Sequence, residues 1–272
     1  MCIWSDFLFW ARSCNSFFLL SGFVIFANER DRAVHIRGYY LRRLRRTYAP
    51  FIAAVGISTL SSQLHLISND FSWRELLGSV FGLQDVTDLK PGVLVEPFMG
   101  NSPLWSLSYE VFFYAIFPFV LRLLKWRMYV TRLGIQFVCI VALVSYFFWP
   151  NHCSIVLAYF LIWRLGATLA FLELNNELKV KNALIEIWGA VASVFVAGIF
   201  VFLIGFNGLG LYPFLILRHS AFALCAFIVA LSPLRNKIIS LFGRMKFPWF
   251  CLEHFLWFVH CSQSAASANR RI

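Results

Sequence analysis

Apolar runs long enough to cross a lipid bilayer follow one another along this chain, at 7–27, 47–67, 103–121, 133–150, 153–173, 185–206, 212–232 and 246–262. A stretch of about 20 apolar residues spans the hydrocarbon layer as a helix, because a helix satisfies its backbone hydrogen bonds from within. The predicted fold is therefore all-α, a polytopic transmembrane helix bundle of about eight spans forming one domain over 1–272. Composition removes the soluble alternative. With 60% of residues hydrophobic and 14% charged, the chain has too little polar surface to cover itself in water, where about half and a quarter are usual.

The formal charge of +11 raises the question of nucleic acid, but its placement argues against that partner. Lys and Arg collect in short connections rather than on a polar face interleaved with aromatics. The segment 28–46 holds seven, 122–132 four, 174–184 two and 233–246 four, whereas 68–102, 151–152 and 207–211 hold only Arg74 and Lys90. Positive loops stay in the cytoplasm, so the expected location is the plasma (inner) membrane, multi-pass, with the Arg-rich loops cytoplasmic. This sorting puts the amino terminus outside, as though one helix were missing ahead of it. There is no signal peptide of the usual form. The seven Cys form no CxxC pair, the His residues show no ligand spacing, and no metal is expected.

Four segments carry residues that could do chemistry. In the first span, Ser21-Gly22 within Phe17–Phe23 permits close backbone approach, read either as helix packing through small residues or as part of a substrate path. At the start of the second span, Arg42, Arg43, Arg45 and Arg46 place guanidinium groups on shared helix faces. They could grip a phosphate-bearing ligand bidentately, or anchor the chain on anionic membrane lipid.

The third segment, Asn101–Tyr114, contains Glu110 about 10 Å inside a span. A carboxylate at that depth is costly and is normally functional or paired. Arg12, Arg164 and Arg218 are the basic residues within spans that could pair with it. The fourth, Gly243–Leu256, holds Glu253 and His254. A lone histidine on an apolar helix is more often hydrogen-bonded structure than a catalyst, and His254 is kept as a candidate.

Together and in this order, the four segments resemble the acyltransferase 3 family of membrane-bound O-acyltransferases, over nearly the whole chain. Phe17–Ile25 is similar to the family's FFxLSGFxI, and Arg42–Pro50 to RRxxRIYP, with Thr47 for Ile and the proline one place late. Trp105-Ser106-Leu107, Glu110 and Phe113-Tyr114 match WSLxxExxFY, the most specific element. Gly166-Ala167-x-x-Ala170 resembles a later small-residue element, and Phe242-Gly243 with His254 corresponds loosely to a final LGxxSYxxYLxH helix, Lys246 and Phe247 standing for Ser-Tyr. The family's opening helix, similar to RGxAxLxVVxxH and bearing an Arg and a His, has no counterpart. It is the helix the charge sorting also finds missing.

The resemblance implies a transferase that takes an acyl group, acetyl above all, from acyl-CoA to a hydroxyl of a cell-surface carbohydrate, with no cofactor beyond that donor substrate. It implies donor contacts at Arg42, Arg43, Arg45 and Arg46. Trp105, Tyr114 and Ser21 would line the transfer site, and Glu110 and His254 would be catalytic. Without the family's histidine base, activity of this chain alone is expected to be low. Two other readings stay open: a transporter or flippase with Glu110, Arg164 and Arg218 on its path, and a non-catalytic remnant.

Overall fold

The structure, a computed structural model, describes residues 17–30, 35–64, 71–208 and 210–232. Its elements are helices: α1 Phe17–Glu29, α2 Ile36–Gln63, α3 Trp73–Val80, α4 Trp105–Phe148, α5 His152–Leu174, α6 Leu184–Ile204 and α7 Phe214–Leu231. Among the described residues the sole β feature is an isolated bridge between Gln84 and Val95. The expected all-α class holds. The expected count of about eight spans is not confirmed: among the described residues four helices, α4 to α7, are long and apolar enough to cross a membrane.

The difference has local causes. The expected spans 103–121 and 133–150 are parts of the one helix α4. The span expected at 47–67 belongs to α2, which starts at Ile36, takes the arginine run into the helix, and ends in polar Ser58, Thr59, Ser61, Ser62 and Gln63. Residues 246–262 lie outside the described residues.

A straight helix of 44 residues would run about 66 Å, twice the hydrocarbon thickness. Instead α4 breaks at Arg127, whose backbone is non-helical at φ −142° and ψ 71°. Across the break Thr131 Oγ1 donates to the Leu123 carbonyl at 3.2 Å, whereas eight residues of straight helix would hold them about 12 Å apart. The arms also meet again at their far ends. Lys90 Nζ donates to Tyr109 at 2.8 Å and Tyr146 donates to the Pro91 carbonyl at 2.6 Å. The arms therefore run antiparallel.

Helix α5 is central, with every residue from Tyr159 to Ala170 buried. Asn151 caps it, accepting from the Ser154 amide at 2.9 Å. Helix α1 lies directly on it. A Cβ on Gly22 would stand 1.9 Å from the Trp163 carbonyl oxygen, and one on Gly166 would stand 1.8 Å from that of Leu19. The small-residue elements near Ser21 and Ala167 thus face each other, which is the packing reading of both.

The connection 81–104 is folded into the mouth of the bundle. Ser72 caps the short helix α3 ahead of it, accepting from the Glu75 amide at 3.4 Å. Gly92, at φ +80°, lies where a Cβ would meet Pro150 at 2.6 Å. Gln84 donates to the Leu104 carbonyl at 2.8 Å. Asp85 and Lys90, two charges of this connection, are consequently buried.

Candidate active site

The first arm of α4 carries Glu110 and Tyr114 one turn apart, so both point the same way. Tyr114 donates to Glu110 Oε2 at 2.7 Å. Its hydroxyl is also 3.4 Å from Ser21 Oγ on α1, which accepts from Trp163 Nε1 on α5 at 3.3 Å. A hydrogen-bonded chain thus joins Glu110, Tyr114, Ser21 and Trp163 across three helices. Glu110 is 5% exposed, and its second oxygen, Oε1, is buried without a hydrogen bond among the described residues. An acceptor in that condition is costly unless something is there to be accepted.

Tyr114 is held from its backbone as well. Pro118 has no N–H to give the carbonyl four residues earlier, and that carbonyl belongs to Tyr114. The Tyr39 hydroxyl on α2 takes the place of the missing donor at 3.1 Å, and the Tyr40 hydroxyl donates to the neighbouring Ala115 carbonyl at 2.9 Å. Helix α2 is thereby fixed against the site by two consecutive tyrosines.

The arginine run follows on α2. Arg43 is buried, its guanidinium carbon 5.7 Å from the Tyr39 ring centroid and 5.6 Å from that of Tyr114. It donates to Glu29 Oε1 at 2.8 Å, while Arg42 meets both Glu29 oxygens at 3.2 and 2.6 Å. One carboxylate at the end of α1 therefore engages two of the four guanidinium groups, and Arg45 and Arg46 remain exposed. Burial pushes the Glu29 carboxyl up. The hydrogen bond from Arg42 and the charges of Arg43 and Arg42 outweigh that and hold it below its usual value.

Other expected site residues lie elsewhere. The Trp105 ring lies under Lys90 Nζ at 4.1 Å. Lys90 pairs with Asp85 at 2.9 Å, and Tyr109 donates to the other Asp85 oxygen at 2.7 Å. Tyr159 is 2.6 Å from His219 Nδ1. Arg164 is no partner of Glu110 either, since it donates at 2.7 Å to Glu186, which Arg132 also engages. Arg12 and His254 lie outside the described residues.

Glu29, Asp85, Lys90, Trp163 and Glu186 were not singled out from the sequence. Glu186 had the same signal as Glu110, a carboxylate in an apolar run. The others had none, because their meaning is a partner distant in the chain.

No curated protein and no solved structure matches the chain. A family model described as an acyltransferase domain matches residues 15–260, which takes in all the motifs that meet at Glu110, and the chain belongs to the acyltransferase 3 family.

Proposed function

We propose that this membrane acyltransferase moves an acyl group, acetyl in the simplest case, from acyl-CoA to a hydroxyl of a cell-surface carbohydrate, with Glu110 at the point of transfer. The supporting observation is the buried Glu110 carboxylate, one oxygen fixed by Tyr114 and the other without a hydrogen bond among the described residues. That oxygen is suited to take the proton of the attacking hydroxyl. The hydroxyl oxygen bonds to the thioester carbonyl carbon, the C–S bond breaks, and the departing thiolate recovers the proton. Arg45 and Arg46 meet the donor phosphates from the exposed side of α2. Arg42 and Arg43, tied to Glu29, set the position of α2 beside Tyr114. In this reading the arginine-rich end faces the cytoplasm of the plasma (inner) membrane, where the donor is available.

Photoreactive acyl-CoA applied to membranes carrying the full chain tests the assignment. Labelling that falls at least tenfold in Arg45→Ala/Arg46→Ala, with Glu110→Gln still labelled but inactive, supports it. Labelling unchanged in Arg45→Ala/Arg46→Ala, or full transfer by Glu110→Gln, removes it.

A further inference from the structure

A pocket of about 290 Å³ opens between α1, both arms of α4, and α5. It is not the Glu110 cluster. Glu110, Tyr114 and Ser21 do not line it, and Trp163 is the wall the two have in common. Its interior is apolar, formed by Phe117, Leu124 and Phe171 among others, whereas its basic side includes Arg132 and Arg164, and Lys125 and Arg30 line it as well.

The basic side carries a charge imbalance. Arg164 and Arg132 both bond to the buried Glu186, and Arg164 Nη1 also donates to the Arg132 carbonyl at 3.2 Å. Among the described residues, two guanidinium groups on one carboxylate leave one positive charge beside an apolar cavity. Such a charge calls for an anion.

The turn beside the pocket identifies the level at which it sits. Trp126 and Tyr129 are 80% and 64% exposed, and Arg122, Lys125 and Arg127 surround them. Exposed aromatics among Lys and Arg at the turn between two apolar helical arms mark the headgroup layer of a membrane. Anionic lipid is concentrated there, and each nearby Lys or Arg draws it in.

We propose that this pocket binds one anionic phospholipid from the leaflet at the arginine-rich end. Its phosphate lies against Arg132, Arg164 and Lys125, and an acyl chain lies along Phe117, Leu124 and Phe171. The lipid neutralises the extra guanidinium charge and fills the space between the arms of α4 and α5. This inference does not depend on Glu110 acting in catalysis.

The test is lipid retention by the purified full chain, measured by native mass spectrometry after exchange into mixed micelles of phosphatidylglycerol and phosphatidylcholine. Phosphatidylglycerol should be retained about fivefold or more over phosphatidylcholine, a factor expected from even one basic contact. The exposed-site variant Lys125→Glu should lower that preference by about fivefold. Thr168→Phe, which fills the pocket, should abolish retention, and Lys125→Glu keeps the test valid if that variant fails to fold. Equal retention of the two lipids, or retention unchanged in Lys125→Glu, overturns the proposal. So does displacement of phosphatidylglycerol by palmitoyl-CoA at equal concentration, which would make the pocket a donor site.

Discussion

The hydroxyl of Tyr114 stands 2.7 Å from a carboxylate oxygen of Glu110, one helical turn away. The same tyrosine is held by its backbone carbonyl, released by Pro118 and taken up by Tyr39. Both ends of Tyr114 are thus fixed, and with them the orientation of Glu110.

Tyr114→Phe should destabilise the protein by about 1–3 kcal/mol, the cost of leaving a buried acceptor without its donor. Glu110→Gln should leave the fold standing and lower acyl transfer by about 10²-fold or more, as for loss of a positioned base. Thermal unfolding in detergent and a transfer assay read the two effects separately. Equal transfer by Glu110→Gln and the unaltered protein would assign Glu110 a structural role.

The Glu29 pairing makes stability depend on pH. The folded carboxyl titrates below its ordinary value of 4.5, so its contribution is complete above that value and is lost as pH falls toward and through the folded value. Glu29→Gln should cost about 3 kcal/mol at neutral pH, because it leaves the buried Arg43 without its anion. The difference in melting temperature between this variant and the unaltered protein should shrink steadily on acidification below pH ~4.5. A difference independent of pH would mean that shape, not charge, is what Glu29 supplies.

Gly22→Ala should be disproportionately harmful for one added methyl group. The new Cβ would meet the backbone oxygen of Trp163 at 1.9 Å, and backbone cannot rotate away as a side-chain tip can. Overpacking of this kind costs about 1–3 kcal/mol, occasionally more. Gly134→Ala, exposed within α4, meets nothing within 4 Å and serves as the control, expected to melt at or slightly above the parent because alanine favours the helix by about 0.5–1 kcal/mol over glycine.

Lys90→Met should cost about 3–5 kcal/mol, since Asp85 would remain buried without its cation. Lys90→Met combined with Asp85→Leu should recover most of that loss. A double variant as unstable as the single one would point instead to the contact of Lys90 with the Trp105 ring as the main contribution.

Much of the helical framework was legible because the signal is local. Lipid imposes its demand on each run of residues independently, so apolar length alone marks α4, α5, α6 and α7. The basic connection 122–132 contains the break at Arg127, and Glu110 stood out because a carboxylate inside an apolar run needs a reason to be there. Arginine spacing was a weaker guide. It placed Arg42 and Arg43 on faces suited to phosphate, whereas a carboxylate 13 and 14 residues earlier already engages them.

By itself, then, the sequence determined that the chain is a membrane-embedded helical protein with family motifs at Ser21, Arg42 and Glu110. Only the tertiary structure decided which charges meet: Glu29 with Arg42 and Arg43, Asp85 with Lys90, Glu186 with Arg132 and Arg164. The reason is that burial in an apolar run is a property of neighbours along the chain, while neutralising a buried charge requires whichever opposite charge the packing of helices brings within about 3 Å.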